Sequence, residues 1–443
     1  MRSVTGMPYR RLTTVDVAQR WRAFVAFVRR QPQDIREGGW PVLLRKLLMA
    51  LDVALAVPFV LAARLLRPVV LIRFGGLPMQ GIGHLASDVE LLLCRRDAGF
   101  YGRRTIDLFC VGLPACNHQL TRMWMRTAHI SRFARAAERV NRWLPGGERN
   151  RIPFDWSTTD THGLLAHTPP HLSFLPEEQR QGTEALRRLG VRERYPFVCF
   201  HASDTAYYAE RGRDTHAYRN SDIDTYLPAL EALAQRGYAL FRMGAVVERR
   251  LVTNTPAIID YASIARTDFL DIFLPAHCRF YFGDGGGLYN VALIFRRPIA
   301  IVNYLPFEHA VSWNPYDLFI PKALWLRSER RLMTVPEILQ SGVGRFTQDH
   351  QYAQMGIEVI DNTPEEIAAL ALEMDARLNG IWQGTAEDEE LQRRFWEIFR
   401  AYTTVYASCP WRVHRRIGTA FLRQHQALLE EATISQPTRI WAS

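Results

Sequence analysis

RFYFGDGGGLYNVALIFRRPIAIVNYLP, residues 279–306, carries the clearest change of residue type in the chain. The run Phe280–Phe282 is β-rich and breaks into Gly283-Asp284-Gly285-Gly286-Gly287. Leu288 to Phe295 then places Leu288, Val291, Ala292 and Phe295 at helical spacing, and Ile299–Val302 is a second apolar strand after Arg297-Pro298. Strand, glycine turn, helix and strand make a β-loop-α-β unit, which requires a parallel sheet and a right-handed crossover. Glycines let backbone N–H groups approach an anion closely, and the following helix N-terminus adds partial positive charge. The loop therefore predicts a phosphate or diphosphate site over Gly283, Asp284, Gly285, Gly286, Gly287 and Leu288. A loop that only turns the chain is the alternative, although four glycines in five residues exceed what a turn requires.

Upstream, Phe197–Phe200 is a compact apolar strand that ends in His201-Ala202-Ser203-Asp204. A polar loop follows over 205–221, with Tyr207, Tyr208, Arg211, His216, Tyr218, Arg219 and Asn220. Loops of that length in compact domains are usually functional. A helix over 222–235, capped by Ser221 and stopped at Gly237, leads to the strand Tyr238–Met243 and Gly244, and Ile258–Tyr261 is a further strand. Three strand ends, at His201, Met243 and Phe282, are thus expected on one edge, bringing Arg219 and Arg242 towards the glycine loop.

Towards the N-terminus, Val69–Ile72 predicts the first strand of another α/β domain, and a loop ending Gly81-Ile82-Gly83-His84 enters a helix over 85–93. Its glycines do not fit the dinucleotide pattern GxGxxG, so a nicotinamide or flavin site is not supported. His84 and Asp88 lie at the mouth of this turn, where a histidine either packs or acts as a base. A strand over 106–111 and helices near 117–126 and 130–144 complete the domain.

The length of 443 residues suggests two domains with additions. Six scattered cysteines without a CxxC pair read as buried thiols of a reducing compartment, and no metal site is visible. The net charge of +10 is uneven: residues 1–73 hold thirteen Arg or Lys against four acids, a net +9. There, Val17, Trp21, Phe24, Val25 and Val28 recur at helical spacing beside Arg20, Arg22, Arg29 and Arg30, as in a helix that lies on an anionic membrane. Nucleic acid is disfavoured as the partner, since an apolar face interleaves the charges and no nucleic-acid motif follows. Residues 41–67 are apolar but interrupted by Asp52 and Pro58. Interfacial insertion, a membrane span and a core helix all remain open for them.

Several words of the sequence are found together: IGHLA (Ile82–Ala86), HAYRNSDIDTYLPAL (His216–Leu230), FRMG (Phe241–Gly244), the FGDGGG loop, and IDNTPEEI with EMDARLNGIW (Ile360–Trp382). Jointly they resemble glycosyltransferases encoded among bacterial surface-polysaccharide genes, over roughly residues 69–422. The resemblance implies an α/β, GT-B-like fold, with two Rossmann-like domains facing across a cleft. The expected division is a membrane-associating helical module over 1–67, an acceptor-side domain over 68–175, a nucleotide-sugar domain over 176–385, and C-terminal helices over 386–443 that cross back to the first domain. One departure is that Ser203 stands where such proteins often carry an arginine.

The expected function is transfer of a sugar from a nucleotide-diphosphate donor to a glycan or lipid-linked acceptor, by a cytoplasmic protein held peripherally at the inner membrane face. No cofactor or metal is expected. His84, with Asp88 second, is the expected base. His201, Asp204, His216, Tyr218, Arg219, Asn220, Arg242, Gly244 and the 283–288 loop are expected to hold the donor. A nucleotide-sugar epimerase of the same architecture and a non-catalytic membrane-bound scaffold are the alternatives.

Overall fold

The computed structural model describes residues 17–102, 104–112, 114–154, 160–192, 195–206, 216–309, 314–403 and 415–430, without the side chains of residues 17–33, 35 and 38. The basic helix expected near residue 17 is present as backbone, but its side-chain pattern lies outside the described residues, as do Tyr207, Tyr208 and Arg211.

The chain is mixed α/β with two parallel sheets. The first has the order β1 (Val70–Gly76), β2 (Arg104–Cys110), β3 (His129–Ile130). Helix Ile82–Asp97 links its first two strands and helix His118–Thr127 its second and third. The chain returns through 160–169 and helix Pro176–Arg188 to a second, seven-stranded parallel sheet. Its strands are β4 (Phe197–His201), β5 (Ala239–Arg242), β6 (Ile258–Ile259), β7 (Tyr281–Gly283), β8 (Ile299–Tyr304) and β9 (Leu318–Pro321), joined near the C-terminus by β13 (Arg416–Ile417). A small antiparallel sheet, β10 (Ala323–Leu326), β11 (Arg331–Leu332) and β12 (Ile357–Ile360), stands beside it.

The order of the large sheet is β13-β9-β8-β7-β4-β5-β6. From β4 the chain first builds outward through β5 and β6, then returns to the other side of β4 and builds through β7, β8 and β9. The reversal lies between β4 and β7, and in open parallel sheets that is where a crevice forms beyond the strands' carboxyl ends. His201 and Gly283 are partners across it.

Helix Val17–Leu65 is one element with a break at Gly39 (φ 61°), and its end packs on the first α/β unit: Ala56, Val60 and Ala63 meet Phe74, Ala136, Ala137 and Val140. These residues recur at helical spacing and bury one stripe. The described part of 386–430, where helices crossing back to the first domain were expected, packs on the large sheet. Phe395 and Phe399 of helix Ala386–Tyr402 meet Phe307, Phe395 and Trp396 meet Phe319, and β13 pairs with β9. The aromatic face of this helix is the cover of that sheet edge.

Candidate functional site

The glycine loop is shaped by its own carboxylate. Asp284, buried beneath the loop, accepts hydrogen bonds from the N–H and the hydroxyl of Ser203 (the latter 3.0 Å), the Ser221 hydroxyl (3.4 Å) and the Gly286 N–H (3.2 Å), and it faces His201 Nδ1 at 3.0 Å. Burial alone would raise this carboxyl, but the His201 ring and the Ser203 donors outweigh it and hold the group below its usual value. Around it the Tyr226 and Tyr281 phenols are pushed far up, by burial first and then by the Asp284 charge, so both stay neutral. Gly283 (φ 153°) is a position only glycine can fill, because a Cβ there would lie 2.2 Å from the His201 carbonyl oxygen.

Within the expected phosphate cradle the Gly286 N–H already serves Asp284. Among the described residues the N–H groups of Gly285, Gly287 and Leu288 have no protein acceptor. The helix after the loop is also shorter than expected, Tyr289–Ile294, so its dipole contributes little.

The first α/β unit meets this loop backbone to backbone. A Cβ on Gly83 would lie 3.2 Å from Gly287 Cα and 3.0 Å from Asn290 Nδ2, and the Ser87 hydroxyl donates to Asn290 Oδ1 at 2.6 Å. Beside Gly83, His84 is 40% exposed and its Nδ1 lies 2.9 Å from Asp88 Oδ2, one helical turn on and buried. A Cβ on Gly286 would lie 3.0 Å from His201 Cε1. Two His–Asp pairs, His84–Asp88 and His201–Asp284, therefore flank the Gly286-Gly287 ridge from opposite units. In each, a carboxylate at Nδ1 fixes the ring and leaves Nε2 as its other polar atom, an arrangement suited to moving a proton.

The remaining expected residues divide. Arg219 is close enough to His309 for its charge to lower that ring, after burial as the larger cause, and Tyr304, whose hydroxyl donates to the His309 carbonyl at 2.7 Å, lines the loop at Gly285. The Arg219 Nε donates to the Tyr218 hydroxyl at 2.8 Å. His216 and Tyr218 are held by the 347–349 segment: His216 Nδ1 sits 3.1 Å from the Thr347 carbonyl, and the N–H groups of Ala217 and Tyr218 donate to Asp349. The Asn220 carbonyl accepts from Lys322 at 2.6 Å.

Arg242, expected at the diphosphate, is turned away. It is buried, donates to the Arg249 carbonyl at 2.7 Å and pairs with Asp260 at 3.5 Å. Its place on β5 has a physical reason: β5 lies on the far side of β4 from the glycine loop. Asp204 binds the Ala206 and Glu248 N–H groups, and a Cβ on Gly244 would meet Val247 at 2.8 Å, so both shape the neighbouring turn.

Sequence reasoning missed the ion cluster that joins the two units. Arg296 (φ 61°) reaches Glu90 Oε1 at 2.6 Å and the Thr168 carbonyl at 2.9 Å, while His171 lies 3.2 Å from Glu90 and 2.9 Å from Asp97. Burial would lower the His171 ring, but Cys94, Glu90 and Asp97 outweigh it and push it up to about 10. Glu90, Cys94 and His171 lie close enough to ligate an ion. The Arg296 guanidinium, 2.6 Å from Glu90, and His171, 3.2 Å from it, also make them charge partners. A cavity of about 660 Å³ opens nearby, bounded by 165–169 on one side and by Tyr289, Tyr304, His309, Tyr316, Arg297 and Arg415 on the other. That size suits a small-molecule ligand, and the cavity borders the glycine loop through Tyr304.

No protein-family model matches the sequence, and no curated protein matches it. Among solved structures, the chain is similar to a family 9 glycosyl transferase from Veillonella parvula DSM 2008, at 11% identity over 52% of this chain and 80% of that one, TM-score 0.31. It is similar to the E. coli ADP-heptose LPS heptosyltransferase II at 12% identity over 52% and 84%, TM-score 0.31. A third is the iron-containing dodecameric glycosyltransferase TibC of enterotoxigenic E. coli H10407, at 13% identity over 54% and 62%, TM-score 0.31. These three are glycosyltransferases; they lend no residue roles to this chain.

Proposed function

We propose that this chain is a metal-independent glycosyltransferase of GT-B type. It moves a sugar from a nucleotide-diphosphate donor to a glycan or lipid-linked acceptor, in bacterial surface-polysaccharide synthesis at the cytoplasmic membrane face. The observation that carries the reading is the reversal of strand order between β4 and β7, with the glycine loop at its mouth and His84 of the other unit across the seam. Such a crevice supplies N–H donors from one side and a titratable group from the other.

In this reading the Gly285, Gly287 and Leu288 N–H groups, together with Arg219, receive the diphosphate. They stabilise the negative charge that grows on it as the bond to the anomeric carbon breaks. His84, oriented by Asp88, takes the proton from the acceptor hydroxyl while that oxygen forms the new bond to the anomeric carbon. Asp284 keeps the loop in shape, and His201 stands beside it as a second donor to the leaving group.

Thermal denaturation against a panel of nucleotide-diphosphate sugars tests the reading. A rise in melting temperature with one donor, not matched by the free sugar, is expected. Equal indifference to every donor and to the free nucleotide diphosphates would sink it.

A further inference from the structure

Among the described residues one helix segment is long and apolar enough to cross a membrane by length and composition, Gly39–Leu65, 27 residues. Its two sides differ. Val53, Ala56, Phe59, Val60 and Ala63 recur at steps of three and one and are buried or half-buried against the first α/β unit, and Asp52 is half-buried on the same side. Trp40, Leu44, Leu47, Leu48, Leu51 and Leu55 recur at steps of one, three and four and are all exposed, Trp40 by 70%. At about 100° per residue the centres of these stripes lie roughly 130° apart, so the apolar stripe looks away from the domain. No charged residue interrupts it. Arg45 and Lys46 project to the domain side of the helix by the same rotation, and Lys46 pairs there with Asp34 at 2.9 Å.

The helix is welded to the domain at its end. Arg64 donates to Asn141 Oδ1 at 2.9 Å and to the Leu144 carbonyl at 3.0 Å, and Arg67 donates to Asn150 Oδ1 at 2.7 Å. Only the part from Gly39 to Leu51 stands clear, about 20 Å of helix at 1.5 Å per residue, against a hydrocarbon core of about 30 Å. Crossing the core would pull in the rest of the helix together with its neighbour Phe133–Trp143, which exposes Arg135, Arg142 and Trp143. Charged side chains resist that environment.

We propose that Gly39–Leu65 lies in the plane of an anionic lipid surface, its Trp40–Leu55 stripe in the acyl region of one leaflet. The adjoining helix Phe133–Trp143 supplies arginines and Trp143 at headgroup level. The partner follows from charge and chemistry: an unbroken apolar stripe faces outward, and helix Phe133–Trp143 carries Arg135, Arg139 and Arg142 against one acid, Glu138. The proposal deepens the membrane part of the functional reading but needs no sugar donor for its test, so each fails separately.

The test is flotation of the full chain with phosphatidylcholine vesicles, with and without phosphatidylglycerol. Binding to the anionic vesicles is expected, weakened by salt and reduced about tenfold or more in Leu47→Asp/Leu51→Asp, whose exposed positions leave the melting temperature unchanged. Equal binding to neutral vesicles, or a stable dimer in place of vesicle binding, overturns the proposal. Orientation is read from an environment-sensitive probe on Leu44→Cys or Leu55→Cys with lipids brominated at different depths. Shallow quenching at both positions is expected, and a depth that increases steadily from one to the other overturns the in-plane assignment.

Discussion

His171→Gln perturbs the cluster that joins the two α/β units, and its effect has a definite pH signature. The His171 side chain is 12% exposed and its ring is held at about 10 in the folded protein, against an ordinary 6.5. The raised value means that folding favours the protonated ring. Its stabilisation is complete below pH 6.5 and disappears as pH rises through 10. At about 1.4 kcal/mol per unit the whole effect is roughly 5 kcal/mol, of which about 3 kcal/mol is lost between pH 6.5 and 9. Urea unfolding of wild type and variant, followed by tryptophan fluorescence across this range, measures it. The variant is expected to be less stable at pH 6.5, with the gap narrowing by about that amount towards pH 9. A gap that stays constant with pH would show that His171 is not held as a cation, and the cluster would then have to be reconsidered as an ion-binding set.

Two further outcomes follow from the site. His84→Ala should retain the donor-induced thermal shift and lose turnover by about 10² to 10⁴, the range for removal of a positioned base; near-normal turnover of folded variant would remove His84 from the mechanism. Arg219→Ala should weaken donor binding by about 1.5 to 3 kcal/mol without lowering stability, whereas Arg242→Ala should lower stability by about 3 kcal/mol, because its loss leaves Asp260 without that partner. Isothermal titration and urea unfolding of both variants decide this, and the opposite pattern would return Arg242 to the diphosphate.

The strands of the large sheet were legible wherever an apolar run met a glycine or a polar strand end, as at Phe197–His201 and Tyr281–Gly283. β9 and β13 were not: Leu318–Pro321 sits in an aromatic stretch between Pro315 and Pro321, and β13 is two residues long, so neither carries a period. Strand order is a tertiary property, and it decided the fate of the arginines. Arg219 and Arg242 both follow or end a strand, yet only one stands on the glycine-loop side of β4. Asp284 was picked out as a ligand contact because it sits among glycines. Its partners Ser203 and Ser221 are distant in sequence and share no spacing with it, so its role as the loop's internal anion emerged only from the fold. The Glu90–His171–Arg296 cluster had still less signal, being three isolated charges from three separate segments.

The meeting of Gly83 and Gly287 has a mechanical consequence. Two packed surfaces normally interdigitate, and sliding one over the other forces side chains through unfavourable rotamers. Where glycine backbone rests on glycine backbone the two units can approach closely enough for Leu85 and Val89 to share one apolar core with Ile272, Val291 and Ile294, with Ser87–Asn290 at 2.6 Å and Arg296–Glu90 at 2.6 Å as ties on either hand. Rotation about this point would have to open that shared core, so the seam holds His84 at a fixed place beside the ridge. A bulky residue at position 83 or 287 would then act as a wedge, prising the shared core apart and moving His84 away from the ridge.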